Sequence, residues 1–389
     1  MPIINRIAAF SDDMKAWRRH LHQRPELLLD TVETAAFVIE KLQAFGVDEI
    51  HTGIAQNGIV ALINGKNPGP TMGLRADMDA LPILEARDIA WKSQANGKMH
   101  ACGHDGHTTM LLGAARYLAE TRNFTGRVAL IFQPGEEGAG GGRIMVEAGI
   151  MQRFSVKQVF ALHNWPNLAT GSFGMTAGPC MAAADVFDIT IAGKGAHAAY
   201  PHLSVDPVNV AVQMAQAIGS IVSRHLDPLD SAVLSVTNIH AGTIHNVIPS
   251  QAVLTGTVRT LQHSVMLEIQ AKLQRIVDHL PAAFGASAVL DYVVGYPVTI
   301  NNADAVDFAA SVAADIVGQA NVQTNRPPEM GAEDFSYMLQ QRPGAYVLLG
   351  QGESAGLHHP DYDFNDEIAP IGASYFARLV EMAQPVRPV

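Results

Sequence analysis

The fold turns on the stretch Gly126-Arg127-Val128-Ala129-Leu130-Ile131-Phe132-Gln133-Pro134-Gly135-Glu136-Glu137-Gly138. Its first seven residues are a largely apolar run that reads as a buried strand. Pro134 and Gly135 end that strand, so Glu136 and Glu137 sit on a turn at its carboxyl end. Open α/β sheets place their chemistry at that end. Adjacent carboxylates repel each other unless a cation lies between them or one is protonated, so the pair suggests a metal ligand beside a general base. Paired acids are also common on solvated surfaces, so the rest of the chain must decide between the two.

A chain of 389 residues exceeds a typical single core, and two domains are expected. Hydrophobic residues make up 48% and charged residues 16%, which suits a well-packed globular protein. A net charge of -11 without a basic run excludes nucleic acid and anionic membrane as partners and leaves a small-molecule substrate. The N-terminus lacks a basic segment followed by an apolar core, no apolar run reaches the length of a membrane span, and there are only two cysteines, Cys102 and Cys180. A cytoplasmic location is expected.

Taken in order, residues 5–23 and 31–45 have helical spacing, with His20 and His22 expected to be structural histidines. Gly58 to Asn64 and Thr71 to Ala76 read as strands, the second running into Asp77-Met78-Asp79, of which only one acid is expected to face a metal while the other orients a ligand. Met99-His100-Ala101-Cys102-Gly103-His104-Asp105-Gly106-His107 is the densest group of donors, ahead of a helix expected over 108–120. Thiolate and imidazole suit zinc and other first-row divalent metals. His100 and His107 read as support rather than ligands. Gly140-Gly141-Gly142 precedes a helix to about Met151, but without a Gly-Lys-Ser/Thr ending it is no phosphate loop. Gln158 to Leu162 is a further strand, ending at His163 on the same sheet edge as the glutamates. After the last expected strand, Ala345 to Leu349, comes Leu357-His358-His359-Pro360, with His358 favoured over His359 as a ligand.

Between these parts, near residue 182, the composition changes. Strands at 185–192, 232–240, 250–260 and 287–294 alternate with helices at 206–225 and 265–280, the β-α-β-β-α-β order of a ferredoxin-like module inserted over 182–294. The expected division is therefore 1–181 and 295–389 for an α/β metal-binding catalytic domain, interrupted by this α+β insert. His197 lies in a small-residue loop, Asn246 in Asn246-Val247-Ile248-Pro249, and Arg259 on a strand, where its fork suits a carboxylate.

With these motifs in this order, the chain resembles the metal-dependent amidohydrolases of the aminoacylase, hippurate hydrolase and auxin-conjugate hydrolase group, within the two-metal aminopeptidase and carboxypeptidase superfamily. The resemblance rests on 75–82, 99–107, 133–138, His163-Asn164, 193–201, 246–249, 331–335 and 357–360, spread over nearly the whole chain. It implies a two-metal exopeptidase-like catalytic domain with the insert as lid and dimerisation domain. The implied metal ligands are Cys102, His104, Glu137, His163 and His358, and Glu136 is the implied general base. Asp77 stands where many superfamily members carry a histidine ligand, a difference that the cysteine offsets, and Asp79 supports a ligand. The resemblance further implies His197 as an oxyanion donor, in cis or from a neighbouring subunit, and Asn246 and Arg259 as binders of a substrate α-carboxylate. Two divalent ions are implied, manganese foremost, with zinc, cobalt or nickel as alternatives. The implied reaction is hydrolysis of small N-acyl or N-aroyl amino acids such as hippurate by a homodimer or homotetramer. The competing readings are a dipeptidase or N-acetyl-diaminopimelate deacetylase on the same scaffold, and a non-catalytic binding protein that keeps the fold.

Overall fold

A computed structural model describes residues 3–386, so the outermost residues of the expected catalytic domain, 1–2 and 387–389, lie outside the described residues. The chain divides into two compact units. The first consists of the residues up to Cys180, Ile300–Pro327 and those from Asp334 onward; the second of Met181–Thr299 and Pro328–Glu333. The insert thus continues past residue 294, because its last strand runs to Tyr296. Segment 328–333 belongs with it through Ala182, whose backbone N–H lies 2.8 Å from the Gly331 carbonyl.

The first unit is built on a mixed sheet. Its strands include β1 (Glu49–Ile54), β2 (Gly58–Asn64), β3 (Asn67–Asp77), β4 (Thr125–Gln133) and β5 (Val156–Pro166). In space the order is β1-β2-β4-β3-β5, followed by the strand Gly344–Gly352 and two short strands, Phe173–Gly174 and Val322–Gln323. β4, β3, β5 and Gly344–Gly352 run parallel, while β2 joins β4 antiparallel. Asp77 pairs with Gln133, and His163 with Leu348, so the carboxyl ends of the parallel strands lie level. β2 up to Ile63 and the second half of β3 are buried, as expected for strands covered on both faces.

The helices Ser11–His22, Val32–Phe45, His104–Thr121, Ala303–Val317 and Ala369–Ala383 share one core with the sheet. His104–Thr121 and Ala369–Ala383 approach closely because small residues line their crossing. A Cβ at Gly113 would lie 2.9 Å from that of Ala373, and one at Gly372 would lie 2.0 Å from the Met110 sulfur. Three expected helices differ from those observed. The N-terminal one is two, Asn5–Ala8 and Ser11–His22; the one expected to run to Met151 stops at Glu147 and restarts at Ile150, after the left-handed Gly149; and the one expected from residue 108 begins at His104.

The second unit has the β-α-β-β-α-β order: Ala183–Ala192, helix Pro207–His225, Ala232–Ala241, Gln251–Thr260, helix His263–His279 and Ser287–Tyr296. Numbered within the unit, its antiparallel strands lie in the spatial order 2-3-1-4, a ferredoxin-like sheet. Ala183–Ala192 alternates buried with more exposed residues, and Phe187, Ile189 and Ile191 turn into a core formed with the two helices. Gly256 makes room for Phe187, since a Cβ there would lie 2.2 Å from its ring. Phe187→Ala should destabilise this unit by about 3–5 kcal/mol, the usual cost of a large cavity. Hydrogen exchange would check it as faster exchange in the strands around residue 187, with β3 and β4 little changed.

Candidate metal centre

The level carboxyl ends of β3, β4 and β5 deliver Asp77, the turn bearing Glu136 and Glu137, and His163 to one edge of the first unit. The fourth contribution is the start of helix His104–Thr121. Gly103 precedes it at φ 93, in the left-handed region, so the chain turns from Cys102 into the helix and His104 falls on its first turn. A Cβ at Gly103 would lie 2.2 Å from Asn164 Oδ1 and 2.6 Å from the Tyr362 hydroxyl. The fifth is His358, itself left-handed at φ 63, whose backbone N–H donates to the Ala101 carbonyl at 2.8 Å. That bond sets His358 beside Cys102.

Of the donor triads formed by described residues, in each of which the candidate ligand atoms lie within 4.8 Å of one another, three join the expected ligands and base: Cys102, His104 and His163; Cys102, Glu137 and His358; and His104, Glu136 and Glu137. The five ligand candidates and the candidate base are therefore brought together. Cys102 Sγ is 3.5 Å from His163 Nε2, and His358 Nε2 is 3.1 Å from Glu137 Oε1. His163 Nδ1 is 2.7 Å from the Asn164 carbonyl, which leaves Nε2 directed at the thiol.

His104 is the most telling residue. It is 1% exposed, yet neither ring nitrogen has a well-aligned hydrogen bond among the described residues, with the carboxylates of Asp79 and Asp77 approaching at 3.5 and 3.7 Å. Buried polar atoms ordinarily find partners, so this group is arranged around something it can ligate. Thiolate, imidazole and carboxylate at tetrahedral-scale separations suit a first-row divalent cation. Burial opposes charge on His104, but Asp77, Asp79 and Glu137 outweigh it and lift its pKa to about 10. The field that favours a proton there equally favours a metal ion. Burial and neighbouring His107 push His163 well below its ordinary value, into the neutral form that ligates.

Asp77 and Asp79 correct the expectation that only one of them faces the cluster. Residues two apart on an extended chain share a face, so both carboxylates approach His104, at 3.7 and 3.5 Å. Asp77 bonds to His107 Nδ1 at 2.6 Å and Arg75 Nη1 at 2.8 Å; His104, His107 and Arg75 hold it well below the ordinary carboxylate range despite its burial. His107 Nε2 lies 2.7 Å from Asn164 Oδ1, so both its ring nitrogens are engaged and it supports rather than ligates. Asp79 accepts the backbone N–H groups of Glu136 and Glu137, each at 3.0 Å, and thereby sets both side chains.

Sequence reasoning passed over the layer behind. Asp334 accepts from Gln133, Arg75 and the Gly142 N–H, tying the ends of β3 and β4 to the glycine turn. The buried His22 lies 2.8 Å from Asp105, on the helix turn that carries His104, and 3.4 Å from Glu85. His20, by contrast, stacks on Phe37 away from the centre. The signals were present as an arginine two residues before Asp77 and an acid beside His104, but their partners are remote in sequence.

In the second unit, His197 pairs with Val247, and the Ala198 N–H donates to the Asn246 carbonyl at 3.0 Å, so His197 and Asn246 are neighbours. Arg259 lies on the strand Gln251–Thr260, where it donates to Thr257 Oγ1 and the Val258 carbonyl. Among the described residues no hydrogen bond joins it to His197 or Asn246.

A model of peptidase family M20/M25/M40 matches residues 73–382. The chain belongs to this family. It is 38% identical to hippurate hydrolase of Campylobacter jejuni, over 97% of this chain and 98% of that protein. It is 37% identical to thermostable carboxypeptidase 2 of Saccharolobus solfataricus, again over 97% and 98%. Among solved structures, a dinuclear metal-binding peptidase of the M20 family from Bacillus subtilis superposes with a TM-score of 0.85 at 33% identity, covering 97% of this chain and 98% of that one. Near-complete coverage by such relatives makes the protein a metal-dependent amidohydrolase of this family.

Two predictions follow from the geometry. Gly103→Ala forces a left-handed alanine against Asn164 and Tyr362 and should cost at least about 1–3 kcal/mol, read from thermal unfolding. His22 is the second. Burial opposes its charge, but Asp105 and Glu85 raise its pKa from 6.5 to about 9. Its contribution to stability is full below 6.5 and fades as pH rises through 9. His22→Gln should therefore flatten the fall in stability between pH 7 and about 9, measured by denaturant unfolding across that range.

Proposed function

We propose that this protein hydrolyses the amide bond of N-acyl and N-aroyl amino acids, hippurate among them, releasing a carboxylic acid and a free amino acid. Cys102, His104, Glu137, His163 and His358 would hold two divalent metal ions, with Glu136 as general base. The observation that carries this reading is the buried His104, set among a thiol, two further imidazoles and two glutamates whose candidate ligand atoms converge. Manganese is the ion assigned first; zinc, cobalt and nickel suit the same donors.

Bound there, the ions would supply an acidified water and a polarised amide carbonyl. Glu136 takes the proton released as the water attacks, and returns it to the amide nitrogen as the carbon–nitrogen bond breaks. Its backbone is pinned to Asp79, so the carboxylate is aimed before substrate arrives. His197 is assigned to the oxyanion, and Asn246 and Arg259 to the carboxylate of the amino acid released. Burial lowers the Arg259 pKa only from a value so high that it stays charged at neutral pH. The second unit is also assigned a part in subunit association, as a dimer or tetramer.

The similarity to hippurate hydrolase supports an acyl-amino-acid substrate, and that to a carboxypeptidase supports a peptide as the second reading. In both, the leaving amine carries a carboxylate, which is the feature Arg259 would recognise. Chelator-treated protein, reloaded with manganese, zinc, cobalt or nickel, should release amino acid from hippurate and N-acetyl amino acids faster than from dipeptides or N-acetyl-diaminopimelate. A reversed ranking replaces the substrate, and metal uptake without release from any of them overturns the reading. Glu136→Gln should keep its metal, by elemental analysis, and lose turnover by about 10²–10⁴-fold. Arg259→Ala should chiefly raise KM for carboxylate-bearing substrates.

A further inference from the structure

The loop that carries His358 is held by scattered contacts rather than by regular structure. Among them are the Ala86 N–H to the Pro360 carbonyl at 3.0 Å, Asn365 Nδ2 to the Gln351 carbonyl at 3.0 Å and Trp91 Nε1 to Asp363 at 3.2 Å, with Phe364 buried. Residues 353–365 form no helix or strand, and His358 is half exposed in a left-handed conformation. Its backbone bond to Ala101 fixes one point. A few residues on, Tyr362 is wholly buried, and its hydroxyl accepts from Asn164 Nδ2 at 2.7 Å. Asp363 and Asp366 then turn inward to a single buried cation.

That cation is Arg18, on the helix Ser11–His22, its side chain 0% exposed. Nε donates to Asp366 at 2.6 Å and Nη1 to Asp363 at 3.1 Å, while Nη1 lies 3.8 Å from Asp105. Asp105 is next to His104, so one guanidinium faces both the segment bearing His104 and the loop bearing His358. Arg19 and Arg87 reach the same loop from the surface side, at Asp366 and Asp363, without touching Asp105. A buried ion pair is a poor source of stability, because desolvation cancels much of its attraction. A planar guanidinium fork is, however, a good source of fixed geometry.

We infer that Arg18 is a positioning residue for the metal centre: through Asp105 on one side and Asp363 and Asp366 on the other, it sets the separation between His104 and His358. This rests on the metal-binding reading above. Arg18 touches neither metal nor substrate, and its effect is on how well the ligands converge. Groups that orient ligands in this way typically alter metal affinity about 10–100-fold.

The test is cobalt titration of metal-free protein, read both by stoichiometry and by the thiolate charge-transfer absorption that Cys102 would give. Two variants are compared with the unaltered protein. Arg18→Lys keeps the charge and loses the fork; Asp366→Asn loosens only the loop and leaves Asp105 in place, so it carries the test should Arg18→Lys not fold. His358→Ala identifies the ion on the His358 side. Both variants are expected to bind that ion about 10–100-fold more weakly, with a native far-ultraviolet spectrum and the thiolate band retained. Variants that are merely less stable to heat, with unchanged cobalt affinity, would overturn the assignment while leaving the metal centre standing. An unaltered protein that binds no cobalt, or shows no thiolate band, would sink the metal centre and the role of Arg18 with it.

Discussion

Four carboxylates, those of Asp77, Asp79, Glu136 and Glu137, are gathered at one edge of the first unit, three of them buried. Two like charges about 4 Å apart repel by roughly 4 kcal/mol at the effective dielectric of a protein surface, and by more in the interior. This gathering is therefore the constraint that the surrounding structure has to satisfy. It does so unevenly. Asp77 is compensated by Arg75 and His107, Asp79 by two backbone N–H groups and Glu137 by His358, while Glu136 and Glu137 share a triad with His104. His104 thus lies where the field of these carboxylates favours a cation.

The parallel sheet makes such a gathering feasible. Strands that end level present successive turns to one another, so residues far apart in sequence meet without long loops. The helix His104–Thr121 adds its own contribution, because a helix N-terminus favours neighbouring negative charge. Gly103 lets that helix begin directly after Cys102, which is how thiol and imidazole come to share a triad. The networks behind it, Arg75 with Gln133 and Asp334, and His22 with Asp105, fix backbone positions rather than add charge to the centre.

Legibility in the sequence followed the range of the interaction. The buried strands, the ferredoxin-like order and the donor cluster at Cys102 and His104 could be read because each is written in a few adjacent residues. The convergence of Asp77 and Asp79 was open to the same local reading, since residues two apart on an extended chain share a face. The helix start at His104 was hidden behind His-rich sequence that looks like a loop, and only the left-handed Gly103 discloses it. Arg18 pairs with Asp366 across 348 residues, a relation that no local pattern carries. Asp363 and Asp366 look like solvated acids after a histidine until the fold brings Arg18 beneath them.

This long-range assembly gives the centre a thermodynamic character of its own. The candidate ligands come from segments near residues 102, 137, 163 and 358, and they converge only when the first unit is folded as a whole. A partly folded chain would offer Cys102 and His104 as a weak local pair, but not the triads that add His163 or Glu137 with His358. Any ion bound by the complete set thus favours the folded chain over all partial ones, by an amount that grows with ion concentration above its dissociation constant. The same linkage works in reverse. Tightening a remote contact that helps the ligands converge raises metal affinity without touching the metal, so affinity and the stability of the first unit are two readings of one equilibrium.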